Sequence, residues 1–440
     1  MKRSLWWCLA ATALTVFGAH GAEVAAVVHK PVVGVRAEPR LEAQELTQLT
    51  RETVVSVTAQ RGLWYELKLA DGRTGFVRVN DLRLEYRDQE DDGAVLRALT
   101  GGKAGEGRVM ETAGVRGIDE SDLRSAALDA EQLNAMTANR AEHATSVVYA
   151  RLQGWQATAV PYDAEARPSR DETAADAGSV AAAAQSVSGM MGSFGEKVGS
   201  FLGQTSKVTP RAEQEQAAEE LALGPQIAGR VLGARPLWAD AEAQRRVNLV
   251  GRWVASQTSR PDLPWVFGVI DTPEINAFAA PGGYVLVTRG LYGLLSSDSE
   301  IAAVLGHEIS HCVQRDHYEV IRKQELAALG KDAVSRNVET GSDSAEGLVR
   351  EYVERHGATI LMTSLDREAE YRADYAAEVY LARSGLNPMT LYAVLQKMAA
   401  LGTGSASLTQ LYKTHPPLEA RMDRLDQRGY ADLESYISRE

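Results

Sequence analysis

The pattern of apolar positions divides the chain into a β-rich N-terminal part and a largely helical C-terminal part. A β-branched run, TVVSVTAQ (53–60), is followed by LWYELKLADGRTGFVRV (63–79), in which two strand-like stretches flank Asp71 and Gly72. An Asp-Gly pair in this position is a strong signal for a β-hairpin. We therefore expect residues 22–86 to form a small all-β domain.

Residues 87–215 have a less regular pattern. They combine helical apolar spacing with polar and glycine-rich stretches, and we interpret them as a helical, low-complexity linker region. Within 178–204, apolar residues fall on one helical stripe, but glycines interrupt it, each costing roughly 1 kcal/mol relative to alanine. Three hypotheses stay open for this stripe: a plain linker, a lid, or a segment (180–202) that docks peripherally on a membrane or a partner.

From residue 216 to 440 the pattern is helical, with one interruption. The stretch WVFGVIDTPEINAFAAPGGYVLVTRGLYGLL (265–295) is typical of strands, with a turn at Pro281, Gly282 and Gly283. Residues 216–440 are therefore expected to form a mainly α (α+β) domain with a small β-sheet. The predicted fold class is multidomain, with the small all-β domain preceding this one.

The segment GHEISHCVQRDH (306–317) concentrates three of the eight histidines. Ser297 and Glu300 have the spacing of a helix N-terminal capping box, and the apolar residues that follow keep helical spacing, which predicts one helix from 298 to about 318.

On that helix, His307 and His311 lie one turn apart and share a face. Two imidazoles so placed can bind one tetrahedral zinc ion, and Glu308 lies beside them, within reach of a metal-associated water. This is the His-Glu-x-x-His signature of helical zinc peptidases, although the motif is short.

Two residues are candidates for a third ligand. If the helix continues through Gln314, it carries His317 away along the axis, which disfavours that histidine. The stretch DREAEYRADYAAEVYLARSG (366–385) predicts a second helix with Glu370 and Asp374 one turn apart. Glu370 can complete a His-His-Glu site, and Asp374 can accept the outer N–H of a ligand histidine. An ordinary charged helix face is the alternative.

Charge and the N-terminus restrict the function classes. A formal net charge of −12 disfavours nucleic-acid binding, because phosphate recognition needs clustered Lys and Arg. The first 21 residues combine a basic start, a short apolar stretch and small residues, which predicts an export signal peptide over 1–21. The protein is therefore expected in the periplasm or cell envelope, soluble or peripherally membrane-associated. Beyond that segment only Cys312 remains, so no intramolecular disulfide is expected.

Part of the N-terminal domain resembles a known family. The pieces VRAEP (35–39), GLWYELKLADGRTGFV (62–77) and NDLR (80–83) are similar to those of bacterial SH3-like domains. The resemblance implies a small SH3-like barrel that binds peptide or cell-wall material, or that serves as a structural or tethering module.

Four further motifs occur in a defined order, NAFAAPGGYVLVTRG, VLGHEISH, EYRAD and THPPLEAR. Together they resemble the HtpX and CAAX prenyl protease family of zinc metallopeptidases (gluzincins), and the chain is similar to its soluble, periplasmic, BepA-like branch. The resemblance implies a zincin-type fold over about 216–428 and one Zn²⁺ per chain. It implies that His307, His311 and Glu370 are the ligands and that Glu308 is the base.

The same resemblance places His415, in the fourth motif, beside the metal. Pro416 stiffens the chain after it, so the imidazole is held in a defined direction. Two functional hypotheses stay open. His415 either occupies the fourth zinc position as a gate, or donates a hydrogen bond to the oxyanion with electrostatic help from Arg421. A loop histidine that caps a helix is the third alternative.

The expected function is that of an exported zinc-dependent endopeptidase. An extended substrate would pair with Asn276, Ala277, Phe278 and Ala279 as an added edge strand, through backbone hydrogen bonds that demand little side-chain specificity. Such binding suits unfolded or misassembled envelope proteins and a role in protein quality control. The alternative is a chaperone, or a peptide- or cell-wall-binding adaptor, with a resting, gated zinc site.

Overall fold

The fold is described from a computed structural model. It covers residues 24–69, 71–85, 118, 120–165, 213–323, 365–399, 401–402, 405–428, 433 and 436. The expected signal peptide (1–21) and the apolar stripe within 178–204 lie outside the described residues. Among those residues, no helix combines the length and apolar character needed to cross a membrane.

Seven strands form the N-terminal sheet, and every pairing between them is antiparallel. They are β1 (Val24–Val28), β2 (Val32–Arg36), β3 (Glu45–Thr50), β4 (Val54–Arg61), β5 (Trp64–Lys68), β6 (Thr74–Arg78) and β7 (Leu82–Leu84). The hairpin predicted around Asp71-Gly72 is confirmed as the β5–β6 pair, and Gly72 adopts a left-handed φ of 84° that glycine accommodates without a side-chain clash.

The SH3-like sheet is open, whereas the sequence predicted a barrel. Its strand order is β3-β2-β6-β5-β4-β1-β7, and the described edge strands β3 and β7 do not pair with each other. β7 has only three residues, and the side chain of its Arg83 donates hydrogen bonds to Asp423 and Asp426. Closure depends on pairing between distant strands, which local sequence patterns do not specify.

In the region interpreted as a linker, the residues that the structure describes include three helices before residue 165, namely α1 (Glu120–Ser125), α2 (Ala130–Ala138) and α3 (His143–Leu152). They are packed against the C-terminal part of the chain. Met136 of α2 is fully buried in a core shared with the C-terminal sheet, and the Gln132 side chain accepts a hydrogen bond from the Leu237 backbone N–H at 2.9 Å. Tyr149 of α3 donates a hydrogen bond to Asp298 at 2.5 Å. The described residues 118–165 are therefore part of the C-terminal core.

The C-terminal part confirms the expected mainly helical fold with a small sheet. Its elements are α4 (Glu213–Ala234), α5 (Ala241–Ala255), β8 (Val266–Ile270), β9 (Ala277–Ala280), β10 (Tyr284–Thr288), α6 (Arg289–Leu294), α7 (Asp298–Gln314), α8 (Arg367–Arg383), α9 (Thr390–Ala399), α10 (Leu411–Thr414) and α11 (Leu418–Arg428). The strand order is β8-β10-β9, with β8 parallel and β9 antiparallel to β10.

The two edges of this small sheet have different hydrogen-bond partners. On the β8 edge, the side-chain amides of Gln244 and Asn248 from α5 bond to the backbone of Val269 and Phe267, at distances from 2.7 to 3.0 Å. These amides bond to the backbone N–H and C=O groups of β8 with which a further strand would otherwise pair. The β9 edge has no such cover from α5, and this edge lies at the candidate site.

Candidate metal centre

Helix α7 carries the two motif histidines and ends earlier than the sequence predicted. Ser297 caps its start by accepting a hydrogen bond from the Glu300 N–H at 3.2 Å. The helix ends at Gln314, because Arg315 adopts a left-handed conformation with φ 61° and ψ 28°. The Arg315 guanidinium is bound by the fully buried Glu220 of α4 at 3.0 Å. The prediction of one helix to about residue 318 was therefore wrong.

The helix break turns the next residues back toward His311. A new helical segment begins at residue 316, and Asp316 lies 2.9 Å from His311 Nδ1. The ring of His317 lies 5.6 Å from the ring of His311, between centroids. The expectation that the helix carries His317 away along its axis was thus wrong, although His317 is not among the side chains whose ligand atoms converge.

Four side chains bring their ligand atoms together, and as a group they could hold a metal ion. His307, His311, Glu370 and His415 each place one such atom within 4.8 Å of the others. The two motif histidines face each other with 3.2 Å between their Nε2 atoms. Glu370 lies 3.5 Å from His307 Nε2 and 3.7 Å from His311 Nε2, and 3.6 Å from His415 Nε2.

The chemistry of this group fits a metal ion. The Nδ1 atoms of His307 and His311 each face a carboxylate at 2.9 Å, which assigns the ring protons to Nδ1 and leaves both Nε2 atoms as acceptors. Two acceptors in such close contact repel each other unless a proton or a metal ion lies between them. Glu370 Oε2 is also buried without a hydrogen-bond partner in the described part of the chain. Imidazole and carboxylate donors of this kind are those of zinc sites.

Asp374 and Arg421 form a buried pair behind His307. Arg421 donates two hydrogen bonds to Asp374, at 2.9 and 2.5 Å, and Asp374 Oδ1 faces His307 Nδ1. Burial opposes ionisation of Asp374, but the charge of Arg421 and hydrogen bonds from His307 and Arg421 lower its pKa to about 2. Asp374 is therefore ionised at neutral pH. Arg421, which the sequence assigned to oxyanion stabilisation, has its guanidinium bound to this carboxylate.

Glu308 lies next to the ligand group without belonging to it. The residue is 4% exposed and lines the same cleft as His311 and Glu370. Burial raises the pKa of Glu308 above its ordinary value. A carboxylate with a raised pKa is suited to taking up and releasing a proton near neutral pH.

The cleft over the ligand group runs along the β9 edge. Its lining comprises Ala277, Phe278, Ala279, Glu308, His311, His317, Leu365, Glu370, Thr414 and His415. Three of the four residues expected to bind substrate are thus in the cleft wall. Asn276 is not, because its backbone N–H and C=O both bond to Thr288, at 3.1 and 3.0 Å, and it is fully buried.

His415 is held between α10 and α11. It ends α10, Pro416 follows it, and its Nδ1 is 2.8 Å from the Thr414 hydroxyl. Burial lowers the pKa of His415 to about 3, so the imidazole is neutral. Its Nε2 lies 3.6 Å from Glu370 Oε2, and both residues line the cleft.

Sequence patterns missed Asp316. It lies five residues after His311, a spacing that would place it off the histidine face of a continuous helix. The helix break after Gln314 returns Asp316 to His311. The sequence does not indicate this break, because arginine, unlike glycine, is not typical of a left-handed conformation.

Comparison with known proteins finds a matching family for each of the two parts of the chain. "Peptidase family M48" matches residues 241–429, and "Bacterial SH3 domain" matches residues 31–82. The chain is similar to the Beta-barrel assembly-enhancing protease of Escherichia coli (strain K12), with 27% identity over 212 residues, 46% of this chain and 42% of that protein. It therefore spans less than half the length of that relative.

Two further relatives are also proteases by name. The Mitochondrial metalloendopeptidase OMA1 of Arabidopsis thaliana is 31% identical over 178 residues, 40% of this chain and 34% of that protein. The Metalloprotease LoiP of Escherichia coli (strain K12) is 25% identical over 194 residues, 44% of this chain and 73% of that protein. The resemblances drawn from the sequence motifs are confirmed. Residues 241–429 are a metallopeptidase domain of family M48, and residues 31–82 are a bacterial SH3 domain.

Proposed function

We propose that this chain is an exported, zinc-dependent endopeptidase that cleaves extended segments of unfolded or misassembled envelope proteins. One observation carries the proposal. The ligand atoms of His307, His311 and Glu370 converge beside Glu308, and this group lies along β9, an edge strand of the described sheet.

His307, His311 and Glu370 would hold one zinc ion per chain. When bound, zinc supplies the Lewis acidity that acidifies a water molecule and polarises the scissile carbonyl. Asp374 and Asp316 accept the Nδ1–H groups of the two histidines, so both rings are fixed in orientation and tautomer. The Arg421 guanidinium keeps Asp374 ionised and in place.

Glu308 is the general base and then the general acid. It takes a proton from the attacking water and delivers it to the leaving amine. Its buried position supports this role, because the raised pKa of Glu308 brings the carboxylate closer to the pH at which it must exchange protons.

The substrate binds as an added strand on β9, along Ala277, Phe278 and Ala279. Strand addition uses backbone groups that every extended peptide offers, so it selects for unfolded structure more than for sequence. The name of the Escherichia coli relative connects that protein with β-barrel assembly. We extend this here to a role in envelope protein quality control, together with the signal peptide expected over 1–21.

His415 would act as a gate, because its imidazole could join His307, His311 and Glu370 in holding the metal until substrate enters the cleft. The position of its Nε2, 3.6 Å from Glu370 Oε2, supports the gate more than a free oxyanion donor. The same observation supports the second candidate function, a chaperone or peptide-binding adaptor whose zinc site rests closed.

A digestion assay tests the proposal. Purified residues 22–440, loaded with zinc, are expected to digest unfolded casein. A chelator should stop the reaction and added zinc should restore it. Glu308→Gln should retain zinc by metal analysis but lose proteolysis, because the carboxylate transfers protons and does not bind the metal. Digestion that survives chelation, or wild-type rates in Glu308→Gln, would contradict the proposed mechanism. A zinc-loaded protein that binds casein without cutting it would favour the adaptor.

A further inference from the structure

An apolar pocket lies beside the ligand group, distinct from the cleft along β9. Its space measures about 360 Å³ when the solvent at its open mouth is included. Its apolar wall is formed by Val304, Leu391, Val394, Leu395, Met398 and Leu411. A pocket of this composition accepts an aliphatic or aromatic side chain and excludes charged ones, because a charge would lose its hydration there.

The pocket opens at the point where the scissile bond would lie. Ala277, Glu308 and His415 line both the pocket and the cleft. In an extended peptide successive side chains point to opposite sides. A peptide paired with β9, with its scissile bond at Glu308, therefore directs one side chain next to that bond into the pocket.

Helix α9 supplies most of the pocket wall from a single face. Leu391, Val394, Leu395 and Met398 follow the i, i+3, i+4, i+7 spacing of one helical stripe. Tyr392 and Gln396 lie four residues apart on a different face of the same helix. A rotation or shift of α9 would therefore change the pocket and that second face together.

The second face of α9 is bound by the SH3-like sheet. The side-chain Nε2 of Gln396, which is 1% exposed, lies 2.9 Å from the Tyr65 hydroxyl oxygen and 2.9 and 3.2 Å from the backbone carbonyls of Val79 and Leu82. Its two hydrogens are shared among these three acceptors. Tyr65 is fully buried at this contact. Because hydrogen bonds are directional, these contacts of one buried amide fix the rotation of the helix more closely than apolar packing does.

The neighbouring helix α11 is bound by the same module. Arg83 of β7 pairs with Asp423 and Asp426, at 3.0 and 2.9 Å, and its guanidinium lies 5.0 Å from the Tyr392 ring centre. The same helix carries Arg421, which lines the pocket. The SH3-like sheet is thus bonded to both helices, α9 and α11, that border the pocket.

We propose that this pocket binds one bulky apolar substrate side chain next to the scissile bond, and that the SH3-like module sets its shape by holding α9. The proposal rests on the peptidase function proposed above. Gln396 is a positioning residue, because it acts on the pocket through the helix and touches no substrate. The SH3-like module then helps to shape the peptidase site and is also a binding domain.

The test compares cleavage of peptides by the zinc-loaded chain. Two series vary the residue on either side of the scissile bond among Ala, Leu and Phe, and kcat/KM is measured for each peptide. In one series the wild type should prefer Leu over Ala by about tenfold or more, as expected for added methylenes in an apolar pocket. Met398→Ala enlarges the pocket and should shift the preference from Leu toward Phe. The ratio between peptides does not depend on the fraction of folded enzyme.

The coupling to the SH3-like module is tested by Gln396→Met, which keeps the side-chain volume and removes the hydrogen bonds of the amide to Tyr65, Val79 and Leu82. The Leu to Ala ratio should change by about threefold or more, which lies within the range of coupling between contacting residues. Gln48→Met, at an exposed glutamine of β3, is the matched control and should leave the ratio unchanged. If Gln396→Met does not fold, Tyr65→Phe removes one of the three acceptors of the Gln396 amide. The Leu to Ala ratio of that variant then provides the test.

The results separate the pocket assignment, the role of the SH3-like module and the proposed peptidase function. Equal kcat/KM for Ala, Leu and Phe peptides in both wild-type series would overturn the pocket assignment while leaving the peptidase function intact. A wild-type ratio in the coupling variants would overturn the role of the SH3-like module. Absence of cleavage of every peptide by the zinc-loaded wild type and by His415→Ala would instead contradict the proposed function.

Discussion

His307 and His311 lie one turn apart on the same helix, yet the surroundings that fix their rings are built in different ways. His307 faces Asp374, which lies on another helix and is bound to the buried Arg421. His311 faces Asp316, five residues further along the chain, which returns only because α7 breaks at Arg315. The orientation of His307 depends on packing between helices, and that of His311 depends on a local backbone conformation. Substitutions at Asp374 and at Asp316 should therefore differ in their effects on zinc affinity and stability.

The largest effect is expected from Glu370, which faces both histidines. Glu370→Ala removes a carboxylate donor that nothing else in the described part of the site replaces, so zinc should be lost and peptidase activity with it. Metal analysis of the purified variant checks this. Glu368→Ala, an exposed glutamate on the same helix, is the control and should retain zinc. If Glu370→Ala binds zinc normally, the third ligand is misassigned, and His317→Ala is the next variant to measure.

His415 faces the oxygen of Glu370 that lies nearer His307, and its ring is 5.5 Å from the His307 ring. Under the gate hypothesis, His415→Ala opens the fourth position and casein digestion should become faster. Under the oxyanion hypothesis kcat should fall by about 10²–10³, the effect of one lost donor. Activity and zinc affinity both equal to wild type would exclude both roles.

The comparison also shows what the sequence could predict. His307 and His311, and Glu370 and Asp374, were predictable because α-helix geometry places residues four apart on one face. The Asp71-Gly72 hairpin was predictable because its turn needs a local conformation that glycine supplies. In each of these cases the interaction is encoded within a few residues.

The missed features depend on distant contacts. The break at Arg315 is stabilised by Glu220, 95 residues earlier, and Arg315 is not a residue type that marks a left-handed turn. The spacing around Met136 predicts a helix but not the sheet on which that helix packs. Likewise, nothing in the sequence near Gln396 indicates that it binds Tyr65 of another domain.

Removing Asp374 should weaken zinc binding and also the fold. Asp374→Ala takes away the acceptor for His307 Nδ1–H, which should lower zinc affinity by roughly 10- to 100-fold, as for other supporting partners of metal ligands. It also leaves the buried Arg421 without its carboxylate partner, which should cost about 3–5 kcal/mol of stability. Competition with a zinc chelator and urea unfolding of the zinc-free protein measure the two effects separately.

Asp316→Ala should separate those two effects. The loss in zinc affinity is expected in the same range as for Asp374→Ala, because the hydrogen bond to the ligand histidine is equivalent. The loss of stability should be smaller, because its cationic partner Arg372 is part-exposed, 3.4 Å away, and also bonded to Gln314. Equal unfolding midpoints for the two variants would show that the two supports do not differ as described.

The smallest effects are expected at Arg315, where the backbone conformation itself can be tested. Glycine adopts a left-handed φ readily, so Arg315→Gly should keep the break and leave Asp316 beside His311. Glu220 loses one cation but keeps Arg260, which binds it at 2.7 Å, so stability should change by about 1 kcal/mol or less. Arg315→Val loses the same cation but is β-branched and strongly disfavours this conformation, at a cost of about 1–3 kcal/mol. If the break is what positions Asp316, zinc affinity should fall in the valine variant and not in the glycine variant, because valine resists the left-handed conformation and glycine adopts it. Equal zinc affinities in the two variants would mean that Asp316 reaches His311 without help from the left-handed residue.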